Sequence, residues 1–334
     1  MTFKKISQFV VSIVLSAGFM YLAFRGKDLA LLWDSILQLS WVWFVILSVG
    51  GIFSHFIRAL RWKYLLYPVK KNITLRNSFS AVMIGYLINN VVPRLGEFIR
   101  PYAIGKLENV SKSAAFGTVV LERMLDFITF AVLIVTILTF YSDSLGAMFP
   151  ALVVFKPLLL IASITLIALF VTIFYKAEFF FSVMKHIAKI FPLKIRTLVD
   201  QKFDSFLSGF SAAKDSKNLF IIAATSIAIW SVYIVLLYIP FFPYGMMDNH
   251  SMNFASAAML MVVSGVAFAM PTPSGFGTYH SFTSFALVQL FHVDPVIALS
   301  YALYTHTVGF LSTTVLGLYF FIKDKIHVSE VVNE

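Results

Sequence analysis

The sequence predicts an all-α polytopic membrane protein with six full transmembrane helices and two re-entrant helical hairpins, and three features carry that prediction. First, 59% of the 334 residues are hydrophobic and 13% are charged, about half the charged share of a typical soluble domain. Second, apolar stretches near the ~20 residues that a spanning helix needs recur along the chain. Third, the basic residues that give a net charge of +10 cluster between those stretches, which favours contact with an acidic inner leaflet over nucleic-acid binding.

Six stretches are long and apolar enough to be full spans. They are residues 6–24, 40–58, 113–140, 155–175, 218–240 and 296–322. The first of them begins like a signal peptide, because Lys4 and Lys5 precede an apolar run. No A-x-A-like cleavage site follows, so we interpret it as a retained helix, with a cleaved signal as the alternative.

Two further apolar regions are broken, and we interpret each as a re-entrant hairpin. One runs from Ser78 to Lys106 and the other from Ala255 to Phe291. Proline lacks an N–H and breaks a helix, and irregular backbone in a membrane is tolerated only where protein or water satisfies it. The predicted hinge and backbone positions are Asn90, Pro93, Gly96, Pro271, Pro273, Gly275 and Gly277.

The distribution of basic residues predicts which side each loop occupies. Residues 58–76, which include Arg58 and Arg61, hold six basic residues and no acidic one, and residues 176–217 hold eight basic against four acidic. Both segments should be cytoplasmic, as should both termini, in a multi-pass protein of the cell (inner) membrane. Hydrophobic residues recur at helical spacing in 176–217, which indicates amphipathic helices on the inner leaflet or, alternatively, helices packed on their own membrane domain.

The order of the elements predicts an internal repeat within a single transmembrane domain, residues 1–334. Each unit, approximately 77–140 and 255–322, contains a helix, a Pro/Gly break, a second helix and a full span. Three full spans separate the hairpins, so the two units should be inverted relative to each other. Many secondary transporters use that arrangement.

Three ionisable residues lie well inside the third predicted span. Glu122, Arg123 and Asp126 are about 14–20 Å deep at a helical rise of 1.5 Å per residue. Because charge inside a bilayer costs at least ~2.5–3.5 kcal/mol on insertion scales, such residues usually serve function. The alternative is a buried ion pair, with Arg123 or Arg94 as the cation, that only fixes helices together.

Arg94, Glu97 and Arg100 follow the break in the first hairpin. The planar guanidinium of arginine suits phosphate, and a helix that restarts after a break directs N–H groups toward an anion. The alternative is that the arginines extend to the cytoplasmic surface, which fits Arg100 better than Arg94.

Two histidines occupy the second repeat unit. His280 follows the glycines of the break, and His306 lies about 15 Å deep in the last span. Their spacing matches no metal site, and without a neighbouring carboxylate we expect no metal. Each histidine could instead be a satisfied polar residue of the core.

The stretches PRLGEFIRPYAIG and SKSAAFGTVVLERMLD, followed by PTPSGFGTYH and ALSYALYTHTVGF, resemble the transmembrane region of the lysylphosphatidylglycerol synthase/flippase family. The resemblance covers essentially the whole chain and implies a membrane domain that moves or handles a polar lipid. It assigns the family's polar positions to Arg94, Gly96, Glu97, Arg100, Glu122, Arg123 and Asp126.

The chain departs from the family pattern at two positions. The family usually has Glu and Arg where this chain has His280 and His306. Because both positions differ together, we predict that the two histidines touch across the hairpin and the last span. We also predict that this half of the site is pH-sensitive.

The sequence as a whole predicts a flippase-like transporter of a polar or anionic phospholipid. The predicted substrate-binding residues are Arg94, Glu97, Arg100, Glu122, Arg123, Asp126, His280 and His306. No nucleotide-binding motif, aminoacyl-transferase domain or cysteine occurs in the chain, so we expect no ATP hydrolysis, no cofactor and no enzyme activity. Two alternatives stay open: a membrane enzyme acting on lipid phosphates or lipid-linked sugars, and a membrane partner of a lipid-modifying enzyme. A homo-oligomer is left open as well.

Overall fold

The computed structural model describes residues 3–141, 150–176 and 216–326, with the single residues 179, 182, 183 and 186. All regular structure in these residues is helical. The α-helices are α1 (Phe3–Phe24), α2 (Leu29–Leu37), α3 (Trp41–Leu65), α4 (Leu75–Val91), α5 (Gly96–Glu108), α6 (Lys112–Phe140), α7 (Pro150–Tyr175), α8 (Ser216–Tyr238), α9 (Met246–His250), α10 (Phe254–Ala269), α11 (Thr278–Phe291) and α12 (Pro295–Lys323). Nearly all of the predicted amphipathic segment 176–217 lies outside the described residues, as do residues 327–334.

Four described helices are long and apolar enough to cross a membrane: α3, α6, α8 with the 3₁₀ turn that follows it, and α12. The predicted first span, residues 6–24, lies within α1, and a short helix that was not predicted follows it. A bend of 91° separates α1 from α2; Gly26 has a φ of +72° there, and the Asp28 carboxylate caps α2. Counting this bent pair gives up to five spans. The predicted span 155–175 lies in α7, whose described apolar stretch is the shorter Lys156–Leu169, so a sixth span stays a prediction.

The helix α3 is longer than the predicted span 40–58, and the difference matters for the site. It begins after the cap Ser40 and continues to Leu65. Trp62 and Leu65 are fully buried, so the inward face of the helix extends past residue 58. Arg58 and Arg61 lie on this helix and are buried, which corrects the prediction that they belong to a cytoplasmic loop.

The two broken regions form antiparallel helix pairs. In the first pair, α4 and α5 approach so closely at Gly85 and Gly96 that a Cβ at Gly96 would overlap the Gly85 carbonyl. In the second pair, α10 and α11 contact each other through Phe268 and Tyr279, whose ring centroids are 5.2 Å apart. Both breaks contain backbone with positive φ, at Arg94 (+64°) in the first and at Ser274 (+50°), Gly275 (+73°) and Gly277 (+79°) in the second.

The two helix pairs reach α12 from opposite ends. Asp324, just beyond the end of α12, accepts hydrogen bonds from Arg76 and Ser80 at the base of the first pair. The second pair leads directly into the start of α12, which Asp294 caps. The inverted repeat itself stays a prediction.

The breaks of the two pairs meet beside the middle of α12. The Ser274 hydroxyl donates to the Asn90 side-chain oxygen at 2.9 Å. The Asn90 amide donates to Thr313 and Thr314 of α12 at 3.1 and 2.9 Å. Two predicted hinge regions from distant parts of the chain therefore form one contact inside the protein.

Candidate functional site

Glu122 is the centre of a buried ionic cluster. Its side chain is fully buried. One carboxylate oxygen accepts from Arg58 at 2.5 Å and from Arg123 at 2.8 Å, and the other accepts from Arg100 at 2.9 Å. Arg61 completes the ring at 3.4 Å. Four arginines from three helices therefore surround one carboxylate.

Asp126 is the second carboxylate of this cluster. It lies one turn beyond Glu122 on α6, so both acids project from one face. Its oxygens accept from Arg61 at 2.7 Å and from Arg58 at 2.8 Å, and Arg123 lies at 3.3 Å. Six charged side chains thus form one network, which we call the arginine cluster: Arg58, Arg61, Arg100, Glu122, Arg123 and Asp126.

Neutral neighbours hold the arginine cluster in place. The Arg58 guanidinium donates to the Tyr233 hydroxyl at 3.1 Å, and the Arg61 guanidinium donates to Ser226 at 3.0 Å. The Arg100 guanidinium lies 4.3 Å from the centre of the Trp62 ring, a cation–π geometry. These contacts tie α3, α5, α6 and α8 together at one level.

The carboxylates do not use all the hydrogen-bonding capacity of the arginines. In the described part of the chain, the buried Nε atoms of all four arginines lack a hydrogen-bond partner, as does the buried Nδ1 of His55. Buried polar groups in proteins are nearly always paired, so such groups require an explanation. Guanidinium N–H groups that the carboxylates do not use are donors from which an anion could accept.

Arg123 is the accessible member of the cluster. Its side chain is 31% exposed, against 0–5% for the other three arginines. Among the described residues its guanidinium donates one hydrogen bond, to Glu122. An anion that approaches the cluster would therefore meet Arg123 first.

The cluster lies in the half of the protein that contains the base of the first helix pair. Arg58 is about 10 Å from the end of α3, Arg100 about 12 Å from the end of α5, and Arg123 about 17 Å from the start of α6, at 1.5 Å per residue. The charge distribution of the loops predicts that this half faces the cytoplasm, and that orientation stays a prediction.

The sequence favoured a surface position for Arg100 over Arg94, and the structure shows the reverse. Arg100 is buried in the cluster, whereas Arg94 is exposed and donates to the Ala269 carbonyl at 3.1 Å. Consequently Glu122 pairs with Arg123 but not with Arg94. Glu97 is half-buried and has no ion pair within the described ranges. The α5 N-terminus is also less open than predicted, because the Gly96 N–H donates to the Asn89 side chain.

His280 and His306 make the predicted contact with each other. Their ring centroids are 4.6 Å apart. His306 donates from Nε2 to the Ser274 carbonyl at 2.8 Å, and His280 accepts at Nδ1 from the Gly277 N–H. We call these two residues the histidine pair. Aromatic side chains pack around it: Phe268, Phe276, Tyr279 and Phe310.

Sequence reasoning missed half of the arginines of the cluster. Arg58 and Arg61 follow an apolar span and were counted with the basic loop after it. Their spacing of three residues, on a helix whose Trp62 and Leu65 are buried, is the signal that was available. His55 and Tyr233 were missed because nothing local distinguishes them from other core residues. The described residues contain no group of three or more potential metal ligands of the His, Cys, Asp or Glu type.

Comparison with known proteins places these motifs in one family. The family described as the lysylphosphatidylglycerol synthase transmembrane region matches residues 9–317. A UPF0104 membrane protein of Methanocaldococcus jannaschii is 25% identical over 285 residues, which are 78% of each chain. One from Pyrococcus horikoshii is 26% identical over 81% of this chain and 84% of its own. No solved structure matches the chain.

Proposed function

Because the chain belongs to the family of the lysylphosphatidylglycerol synthase transmembrane region, we propose that it is a flippase-like transporter that moves a polar or anionic phospholipid between leaflets. A membrane protein with a lipid-related role is the coarser statement that family membership supports. The arginine cluster is the observation that carries the finer one. It gathers four guanidinium groups and two carboxylates inside a chain with spanning helices.

The arginine cluster supports phosphate binding in preference to a purely structural role. A buried ion pair that only fixes helices is expected to match its charges and satisfy its donors. Here arginines outnumber carboxylates, four Nε–H groups lack partners within the described chain, and Arg123 is partly exposed. A phospholipid head approaching Arg123 would supply the missing negative charge and the missing acceptors.

The contact between the two breaks supports a route for the headgroup. Arg94 is exposed beside the contact between Asn90 and Ser274, at the level where both helix pairs turn. An exposed arginine at that depth needs water around it. We propose that this hydrated region continues from the cluster toward the other leaflet, with the two breaks as hinges, while the acyl chains stay in lipid.

The hydrogen bonds of the two carboxylates favour transport over catalysis. A general acid must hold and deliver a proton, whereas both Glu122 and Asp126 already accept from guanidinium groups. We therefore propose that the chain acts without chemistry on the lipid, with both termini cytoplasmic in the cell membrane. An ion gradient or the lipid gradient itself would drive the movement.

A leaflet-asymmetry assay on proteoliposomes tests this proposal. The Arg123→Gln variant should lower the rate of lipid movement by about 10- to 100-fold, because a charge-assisted hydrogen bond contributes roughly 1.5–3 kcal/mol. The matched control is Arg25→Gln, which changes an exposed arginine beyond the end of α1. Equal movement by wild type and Arg123→Gln would overturn the proposal, and conversion of the lipid to a new product would favour an enzyme.

A further inference from the structure

Resting on that proposed function, we infer that the preferred headgroup ends in a phosphate monoester, which is a dianion, rather than in a phosphodiester or an amine-bearing head. The inference starts from the charge of the arginine cluster. Four guanidinium groups against two carboxylates leave a formal charge of +2. A ligand that matches this site carries two negative charges.

The residues around the cluster do not change this balance. The polar side chains that face it from α3, α4 and α8 are His55, Tyr86, Ser226 and Tyr233, which are uncharged as neutral imidazole, phenol and hydroxyl groups. Beyond the cluster, Arg94 and Glu97 of the break carry opposite charges. Uncompensated charge in protein costs several kcal/mol per ion, so the site is built for a ligand that brings the charge to zero.

Other lipid heads leave the charge unbalanced. A phosphodiester such as that of phosphatidylglycerol carries one negative charge and leaves the site at +1. A head that also bears amines adds positive charge beside four arginines, which is unfavourable at short range. A phosphate monoester is doubly ionised above its second pKa of about 6 and brings the total to zero.

The arrangement of donors also favours an end-on monoester. The four arginines approach the cluster from three different helices, and each has a buried Nε–H without a partner among the described residues. A terminal monoester presents three free oxygens to such donors, whereas a phosphodiester presents two and is flanked on both sides by carbon chains. Each additional oxygen that accepts from a guanidinium adds a charge-assisted hydrogen bond.

Aromatic side chains beside Arg123 favour a lipid over free phosphate. Phe127 lies one turn beyond Arg123 on the same face of α6 and is 52% exposed. Phe98 of α5 is 55% exposed and stacks on Phe116, two turns before Arg123, at 5.2 Å. The accessible arginine is therefore bordered above and below by apolar rings, a surface that an acyl chain covers and inorganic phosphate does not.

The test measures binding to the full-length purified protein by native mass spectrometry at pH 8. The probes are dioleoyl phosphatidic acid, dioleoyl phosphatidylglycerol, dioleoylglycerol and inorganic phosphate. Phosphatidic acid should bind at least about tenfold more tightly than phosphatidylglycerol, since it gains one charge and one acceptor oxygen. Arg123→Gln should remove that preference, and Arg25→Gln should keep it.

The possible outcomes separate this inference from the proposed function. Phosphatidylglycerol that binds as tightly as phosphatidic acid and moves between leaflets in an Arg123-dependent way would overturn the monoester and leave transport intact. Inorganic phosphate that binds as tightly as phosphatidic acid would overturn the lipid as the source of the phosphate. Equal binding of all three lipids would overturn both proposals, because the cluster would then not recognise phosphate.

Discussion

The arginine cluster and the histidine pair each lie beside a broken helix pair, yet their chemistry differs. Around the first pair, six charged side chains meet, and donors stay unpaired among the described residues. Beside the second, His280 and His306 lie among aromatic rings and each hydrogen-bonds to backbone of the break. The same backbone device therefore supports an ionic site in one half and an uncharged one in the other.

This contrast separates the role of the breaks from the role of the charges. The breaks bring two distant parts of the chain into contact at Asn90 and Ser274 whatever side chains surround them. The charges lie on one side only, in the half that holds the bases of α4 and α5.

The largest expected effect on stability comes from removing the charge of Glu122, the central carboxylate of the arginine cluster. Glu122→Gln should destabilise the protein by about 3–5 kcal/mol, because it leaves buried arginines without their main counter-charge. Thermal unfolding in detergent measures this loss. Asp126→Asn is the control on the same face and should cost less, since the Asp126 side chain is 13% exposed whereas that of Glu122 is fully buried. An equal or smaller loss for Glu122→Gln would show that the cluster is not organised around this residue.

A double-mutant cycle measures how strongly the two members of the histidine pair are coupled. His280→Ala, His306→Ala and the double variant should give a coupling free energy of about 0.5–3 kcal/mol, because the rings touch. Both unfolding and lipid movement should show it. Additive effects would mean that the contact has no energetic consequence and that the pair is not a unit. The same variants, assayed across pH, test the prediction that this half is pH-sensitive.

A smaller, pH-dependent effect should arise at the base of the first helix pair. Glu108 accepts from Lys70 at 2.9 Å, from the Thr74 N–H at 3.0 Å and from Asn77 at 2.8 Å. Burial acts to raise the pKa of this carboxyl, but hydrogen bonds from Thr74, Lys70 and Asn77 outweigh it and lower the pKa to about 2. These bonds join α5 to the loop before α4 and to α4 itself.

Because the folded pKa of Glu108 lies below its ordinary value of 4.5, the stabilisation is complete above pH 4.5 and is lost as the pH falls through about 2. Glu108→Gln should therefore be about 1–2 kcal/mol less stable than wild type at pH 7. This difference in the free energy of unfolding should become smaller below pH 4.5. Unfolding curves at several pH values measure it. Glu97→Gln, at a half-buried carboxylate on the same helix that has no ion pair among the described residues, is the control and should cost less stability at pH 7. A difference for Glu108→Gln that is constant with pH would contradict the account.

Prediction from sequence succeeded where the signal was local. Apolar length identified four of the six predicted spans, the prolines identified both broken regions, and the paired departure at His280 and His306 identified their contact. It failed where the end of a helix decided the chemistry. Arg58 and Arg61 follow an apolar run whether the helix ends near residue 58 or continues. Only the burial of Trp62 and Leu65 shows that α3 continues and that both arginines lie on its inward face.

The roles of Arg94 and Arg100 could not be separated from sequence for a similar reason. Both follow the same break, and helical spacing alone does not say which one faces Glu122. The close approach of Gly85 and Gly96 sets the rotation of α5 against α4 and directs Arg100 inward. That contact joins residues from two helices, so no single stretch of sequence contains it.

The most direct test is a structure of the protein in nanodiscs that contain phosphatidic acid. We expect density for a phosphate group within about 3 Å of the Arg123 guanidinium, in reach of the unpaired donors of Arg58, Arg61 and Arg100, with acyl density along Phe98 and Phe127. A cluster that stays closed around Glu122 and Asp126, with headgroup density found elsewhere on the protein, would contradict the claim that these arginines bind a lipid phosphate.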